Sequence, residues 1–453
     1  MQKFLDTWKK LTSGSINRKI FGAAVTVAVL TASIKVAVVV KELVVAWRFG
    51  TGDALDAFLI ALLVPSFIIN VVAGSFNAAL IPTYIQAREQ EGAKAAQRLF
   101  SGTTAWGLGL LGITTLLMVA SAPLYLPLIA AGFSPEKLDL TFRLLCAVAP
   151  FVLLSGIVVI WGAVLNAGER FALAAVSPIM TPAISIVFLL AVKSWGVFAL
   201  AAGLVCGAAL EIVLLGAALH RQGISLRPKW YEFDTHLRQV ASQYPPVIAG
   251  GFLMCSTVLV DQSMAAMLSP GSVAALNYGN RTIAFPITLA TTALSTAVIP
   301  YFSKMVACKD WTGVRRTLKY YMQIIFIITV PLTGFFIVCS EPLVQILFQR
   351  GSFAASDTHL VAQIQAFYAL QIPFYVSTIF VVRLMESMLL NHILMWGSGL
   401  NLIANIGLNY LLMQWFGVAG IALSTSCVYV FSFLFLLICA NKKLKSTFTN
   451  LKS

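Results

Sequence analysis

Between about residues 20 and 441 the chain is a succession of apolar runs, each long enough to cross a hydrocarbon core as a helix. Such a crossing needs about 20 apolar residues, whereas a membrane barrel uses strands of about ten with alternating polarity. No such alternation is present, so the expected fold is an all-α polytopic membrane protein. Twelve transmembrane helices are expected, at 20–47, 54–87, 95–131, 137–168, 171–193, 196–222, 235–268, 271–304, 312–348, 356–390, 391–414 and 417–441. The breaks carry turn chemistry, as at Gly50 to Asp53, Gly132 to Pro135, Ser269 to Ser272 and Arg350 to Phe353. Spans of more than about 30 residues must tilt, project beyond the bilayer, or kink at prolines such as Pro65, Pro286 and Pro373.

Composition supports the class. Hydrophobic residues make up 59% of the chain and charged residues only 11%, and the mean hydropathy is +0.88, far from soluble domains. Residues 1–19 are basic, and the apolar run behind them is too long for a signal peptide, so this opening is expected to be retained. The seven cysteines are scattered in apolar runs with no paired spacing. The four histidines are isolated, and no nucleophile elbow, phosphate loop or zinc motif occurs. An enzyme is not expected.

Most of the 31 lysines and arginines fall on one set of connecting segments, including Arg88, Lys94, Arg98, Arg221, Arg227, Lys304, Arg315, Arg316 and both ends of the chain. The positive-inside rule places both termini in the cytoplasm. A basic cytoplasmic face against anionic lipid accounts for a net charge of +14 without a nucleic-acid partner.

The two halves repeat each other. Ala79-Leu-Ile-Pro82 followed by Arg98 recurs as Ala297-Val-Ile-Pro300 followed by Arg316, and Gly196-Val197 with Cys206 recurs as Gly417-Val418 with Cys427. Six spans per half make the repeats parallel. The expected organisation is a basic segment 1–19, an N-lobe 20–222, a cytoplasmic linker 223–234, a C-lobe 235–441 and a basic tail 442–453. Two pseudo-symmetric six-helix lobes around a central cavity suit an alternating-access transporter, expected to act as a monomer.

Charges inside the spans narrow the ligand. Lys35, Lys41 and Glu42 lie deep in the first span and Asp56 at the entry to the second. An ionisable group at the bilayer centre costs roughly 2.5–3.5 kcal/mol on insertion scales, so it faces a watery cavity or a partner. Two readings stand: a cavity wall, or internal salt bridges that only hold helices together. With Arg281 in the eighth span, the excess of cations suits a phosphate or pyrophosphate. Arg383 and Glu386, three apart, read as an internal pair. Asp261 is a lone acid in the seventh span. Asn401 and Asn405 share a face of the eleventh, and Thr425 lies in the twelfth. These oxygens suit a monovalent cation such as Na+, or Asp261 is simply hydrogen-bonded or protonated in the core.

The run VVVKELVVAWRFGTGDALDAFLIALLVPSFIINVVAGSFNAALIPTY, with GAVLNAGERFALAAVSPI (162–179) and LNYGNRTIAFPITLATTALSTAVIPYFSK (276–304), resembles the MurJ/MviN lipid II flippases of the multidrug/oligosaccharidyl-lipid/polysaccharide exporter superfamily. The resemblance implies a flippase for an undecaprenyl-pyrophosphate-linked saccharide, lipid II or a related polysaccharide repeat unit. It places the family's cavity residues on Lys35, Lys41, Glu42, Asp56, Asn166 and Arg281. Asn70, Ala73 and Asn280 stand where the family has an arginine, a glutamate and an aspartate. Members commonly carry two further spans, so the chain reads as a divergent twelve-span member. A sodium site in the second lobe of some members matches Asp261, Asn401, Asn405 and Thr425, with a second acid at the place of Asn405. Two other classes stay open, a cation-coupled multidrug exporter of the same fold and a non-transporting scaffold.

Overall fold

The computed structural model describes residues 16–167, 171–226 and 235–450. The basic opening 1–15 and the linker around Arg227 lie outside the described residues. Among these the chain is helical and contains no strand. The helices are α1 (Ile16–Phe49), α2 (Asp53–Glu91), α3 (Ala93–Ile129), α4 (Pro135–Ala167), α5 (Leu173–Ala191), α6 (Phe198–Arg221), α7 (Thr235–Ala266), α8 (Ser272–Ala307), α9 (Trp311–Val338), α10 (Ser340–Phe348), α11 (Ala355–Ser387), α12 (Asn391–Phe416) and α13 (Val418–Asn450).

A helix falls on every stretch expected to span. Nine described stretches are long and apolar enough to cross a membrane. The asparagines at 391, 401, 405 and 409 dilute the hydropathy of α12, a helix without a charged residue. Side chains such as Leu116 (72% exposed) and Val338 (81%) point outward along the helices. Water would penalise that surface and lipid solvates it.

Prolines act unevenly. Pro373 opens a new helical segment after a break at Leu370 and Gln371, as its missing N–H favours. Pro286 lies in an unbroken helix. Pro65 precedes a π turn at Ile69–Ala73. The expected span 312–348 is two helices, since α9 ends at Val338 and α10 starts at Ser340.

By internal contact the chain forms two compact units. The first comprises Met1–Val45, Ala61–Leu126 and Leu138–Phe252, and the second Ala46–Ile60, Pro127–Lys137 and Leu253–Ser453. In the first, Phe76, Leu80, Leu99, Phe100, Ile160 and Leu219 form the core. In the second it is formed by Phe302, Val314, Leu318, Phe380, Leu384 and Phe433. The glycines matched by the repeat, Gly196 and Gly417, share a backbone conformation, φ 52°, ψ −131° and φ 57°, ψ −137°.

Candidate functional site

In the first unit α1 carries the charges. Lys41 Nζ lies 3.0 Å from Glu42 Oε1, with the two side chains 21% and 15% exposed. The pair is half-buried, so its desolvation cost is modest and Lys41 keeps donors for another partner. Lys35 is exposed and Asn166, near the end of α4, is half-buried. The π turn at Ile69–Ala73 places Asn70 outward and buries Ala73. A π turn shifts the register of backbone hydrogen bonding, and here the Tyr244 hydroxyl donates to the Val72 carbonyl. The two second-span positions that depart from the family pattern thus both lie in this turn.

In the second unit Arg281 is exposed on α8. Asp56 is different: it is 1% exposed and its carboxylate is fully engaged. It accepts the N–H of Gly271 at 2.7 Å and of Ala274 at 2.8 Å. Lys137 Nζ donates to it at 3.1 Å and reaches Asp53 at 2.5 Å. These amides open α8, where a carboxylate is favoured by the unpaired N–H groups and the helix dipole. Gly271 has φ +86°, and a Cβ there would come within 2.3 Å of the Thr51 carbonyl oxygen, so only glycine permits the approach. Nearby, Ser352 N–H donates to Trp47 O at 2.9 Å and Thr51 Oγ1 to Asp357 at 2.7 Å. Four turns read from the sequence are therefore brought together: those after α1, after α3, before α8 and before α11. Asp56 holds structure in place rather than standing open to a ligand.

The second polar cluster surrounds Asp261 in the C-terminal third of α7, where the side chain is 8% exposed. Asn405 and Asn409 donate to Oδ1 at 3.0 and 2.7 Å, and Thr425 donates to Oδ2 at 3.3 Å. Asn409 Oδ1 is buried with no partner. Of the four residues expected here, Asn401 stands apart, because its amide donates to Ser432 at 3.0 Å. Asn409 takes its place, and the asparagine spacing of four residues along α12 was the signal for it. Among the described residues no group of three His, Cys, Asp or Glu could hold a metal. The cluster has one carboxylate and neutral oxygens, a donor set of low charge. Arg383 and Glu386 form the expected pair at 2.8 Å.

An all-helical polytopic chain with polar clusters buried within its spans has the architecture of a membrane transporter. Solved structures share the fold. A lipid II flippase MurJ in an inward closed conformation has a TM-score of 0.79 at 20% identity, over 93% of this chain and 90% of that one. An inward-facing multidrug resistance MATE family transporter has 0.79 at 12% identity, over 93% and 99%. Fold alone does not separate the two. The chain belongs to the MurJ family: the family profile described as lipid II flippase MurJ matches residues 45–452. Relatives named probable lipid II flippase MurJ include that of Synechocystis sp., 26% identical over 95% of this chain and 83% of the relative, and that of Rickettsia prowazekii, 23% identical over 90% and 81%. The lipid II flippase MurJ of Burkholderia cenocepacia is 24% identical over 78% and 70%.

Proposed function

We propose that the chain is a flippase that moves lipid II, an undecaprenyl-pyrophosphate-linked saccharide, across the cytoplasmic membrane by alternating access. The family match over residues 45–452 carries this reading. The ligand's pyrophosphate is the group that intramembrane cations recognise. Lys35, Lys41 and Arg281 are the candidate cations. Glu42 holds the Lys41 ammonium at 3.0 Å until a phosphate oxygen competes for it, and Asn166 offers neutral hydrogen bonds. The test is movement of fluorescent lipid II in proteoliposomes. Transfer no faster than in protein-free vesicles would overturn the proposal.

Both termini are placed in the cytoplasm in this reading. Single cysteines on a cysteine-free background test it with an impermeant maleimide on intact cells. Ser269 to Ser272 is expected to label from outside and Arg227 to stay protected; labelling at 227 would sink the topology.

A monovalent cation, sodium first, is the proposed ligand of Asp261, Asn405, Asn409 and Thr425. The residues fit, since the unpartnered Asn409 Oδ1 lies in the same cluster as a carboxylate and hard cations prefer oxygen. Such an ion supplies a positive charge that offsets Asp261. Binding to the folded state alone stabilises by about 2.7 kcal/mol at 100 times Kd. Wild-type protein in detergent should melt higher in sodium than in choline at equal ionic strength, and Asp261→Asn should lose that difference. Equal melting of wild type in sodium, potassium and choline would end the ion assignment.

A further inference from the structure

A carboxyl group near the middle of α6 has no part in anything above. Glu211 is 5% exposed and lies ten residues before Arg221, about 15 Å along the helix at 1.5 Å per residue. Gly203, Gly207 and Glu211 are four apart, on one face of α6. A Cβ at Gly203 would come within 2.6 Å of the Ser185 Cα, and one at Gly207 within 2.5 Å of the Thr181 Cα. The glycines thus seat α6 directly on the backbone of α5. One turn further on, the seam reaches Glu211 at the point where the partner helix breaks.

The break is the 3-10 turn Ser177–Ile179, with Pro178 inside it. Ser177 Oγ lies 2.8 Å from Glu211 Oε1 and 3.4 Å from the carbonyl oxygen of Ala174. A serine hydroxyl has one proton to give and two lone pairs to receive. With Glu211 charged, the hydroxyl donates to the carboxylate. With Glu211 protonated, the carboxylic O–H donates to Ser177 Oγ, and the serine proton turns to the Ala174 carbonyl. Both states are satisfied by rotating one O–H bond, with no heavy atom displaced.

The surroundings offer little to hold a permanent anion. Residues 150–167 of α4 and 173–191 of α5 contain no titratable side chain. On α6 the others are Cys206, which is exposed, and His220 and Arg221 at the end of the helix. Glu169 and Arg170 lie outside the described residues. Among the described residues Glu211 meets a single hydroxyl, that of Ser177, and a carboxylate so placed within a span is costly as an ion and tolerable when neutral. We propose that Glu211, together with Ser177, is a proton-binding site in the membrane core of the first unit. The ligand is a proton exchanged with bulk water. The site is separate from the Asp261 cluster and independent of which lipid is carried.

Infrared difference spectroscopy tests this on the full-length protein in nanodiscs, stepping the buffer between mildly alkaline and mildly acidic. Protonation of a buried carboxylate appears as a gained carboxylic C=O stretch and a lost carboxylate stretch. The expected result is such a band in wild type, its loss in Glu211→Gln, and a frequency shift in Ser177→Ala. Glu211→Asp keeps the titrating group and should retain a displaced band, which covers failure of Glu211→Gln to fold. A wild-type spectrum without the band, or one that Glu211→Gln and Glu211→Asp both leave unchanged, would overturn the proposal.

Discussion

Lys41→Ala is expected to abolish lipid II flipping while folded protein accumulates as in wild type. A charge-assisted hydrogen bond to a phosphate oxygen contributes about 1.5–3 kcal/mol, or roughly 10- to 100-fold in affinity. The loss should be larger in transport, where binding must also drive a change of state. Lys41→Arg should function, since a guanidinium keeps the fixed charge and adds bidentate geometry. The competing explanation is a structural role for the 3.0 Å pair with Glu42. If pairing were all that mattered, orphaning Glu42 would do the damage and Lys41→Ala/Glu42→Ala would regain flipping. Recovery in the double variant would therefore remove Lys41 from the substrate site, and continued loss supports it.

Asp56→Ala should produce the largest loss of stability. The carboxylate accepts two backbone N–H groups and faces Lys137, and it is almost wholly buried. Breaking a buried ion pair costs about 3–5 kcal/mol; Lys137 keeps Asp53 at 2.5 Å, so the loss falls mainly on the Gly271 and Ala274 amides, left buried without an acceptor. Asp56→Asn keeps an acceptor for the α8 amides and should fall between wild type and Asp56→Ala. Apparent melting temperatures in detergent, taken at one scan rate because unfolding is often irreversible, give the ranking. Equal melting of Asp56→Ala and wild type would show the network to be energetically idle.

Some of this was legible in the sequence, and the reasons are specific. Helix-length apolar runs between glycine- and proline-bearing turns give the helices directly, because backbone groups in lipid have few other solutions. The break of 312–348 at Cys339 carries a weak mark, Pro342 in the first turn of α10, where a proline is tolerated because the N–H it lacks has no partner within the helix, and the apolar run on both sides masks it. Asp56 was read as a cavity residue because its partners Gly271 and Ala274 lie more than 200 positions away in the chain, at separations of 215 and 218. Asn401 and Asn405 share a face, but eight residues along α12 turn that face by about 80°. Packing against α7 and α13 therefore chooses which asparagines meet Asp261. Glu211 escaped notice because a single acid in an apolar run gains meaning only from Ser177 across the seam.

The stitching of four distant turns also bears on how the chain is made. Thr51 leaves the ribosome 306 residues ahead of its partner Asp357, and Asp56 must wait for the start of α8. Domains assemble from the N-terminal side during synthesis, and contacts of long sequence separation form late because loop closure precedes any reward. The second unit, which includes residues 46–60 and 127–137, therefore stays incomplete through most of translation, with an acid and several turn amides still unsatisfied near the membrane surface. A translation pause or truncation before α11 would leave these early segments exposed to surveillance proteases. Variants at Gly271 or Asp56 should then reduce yield at the insertion step, before any transport is asked of the protein.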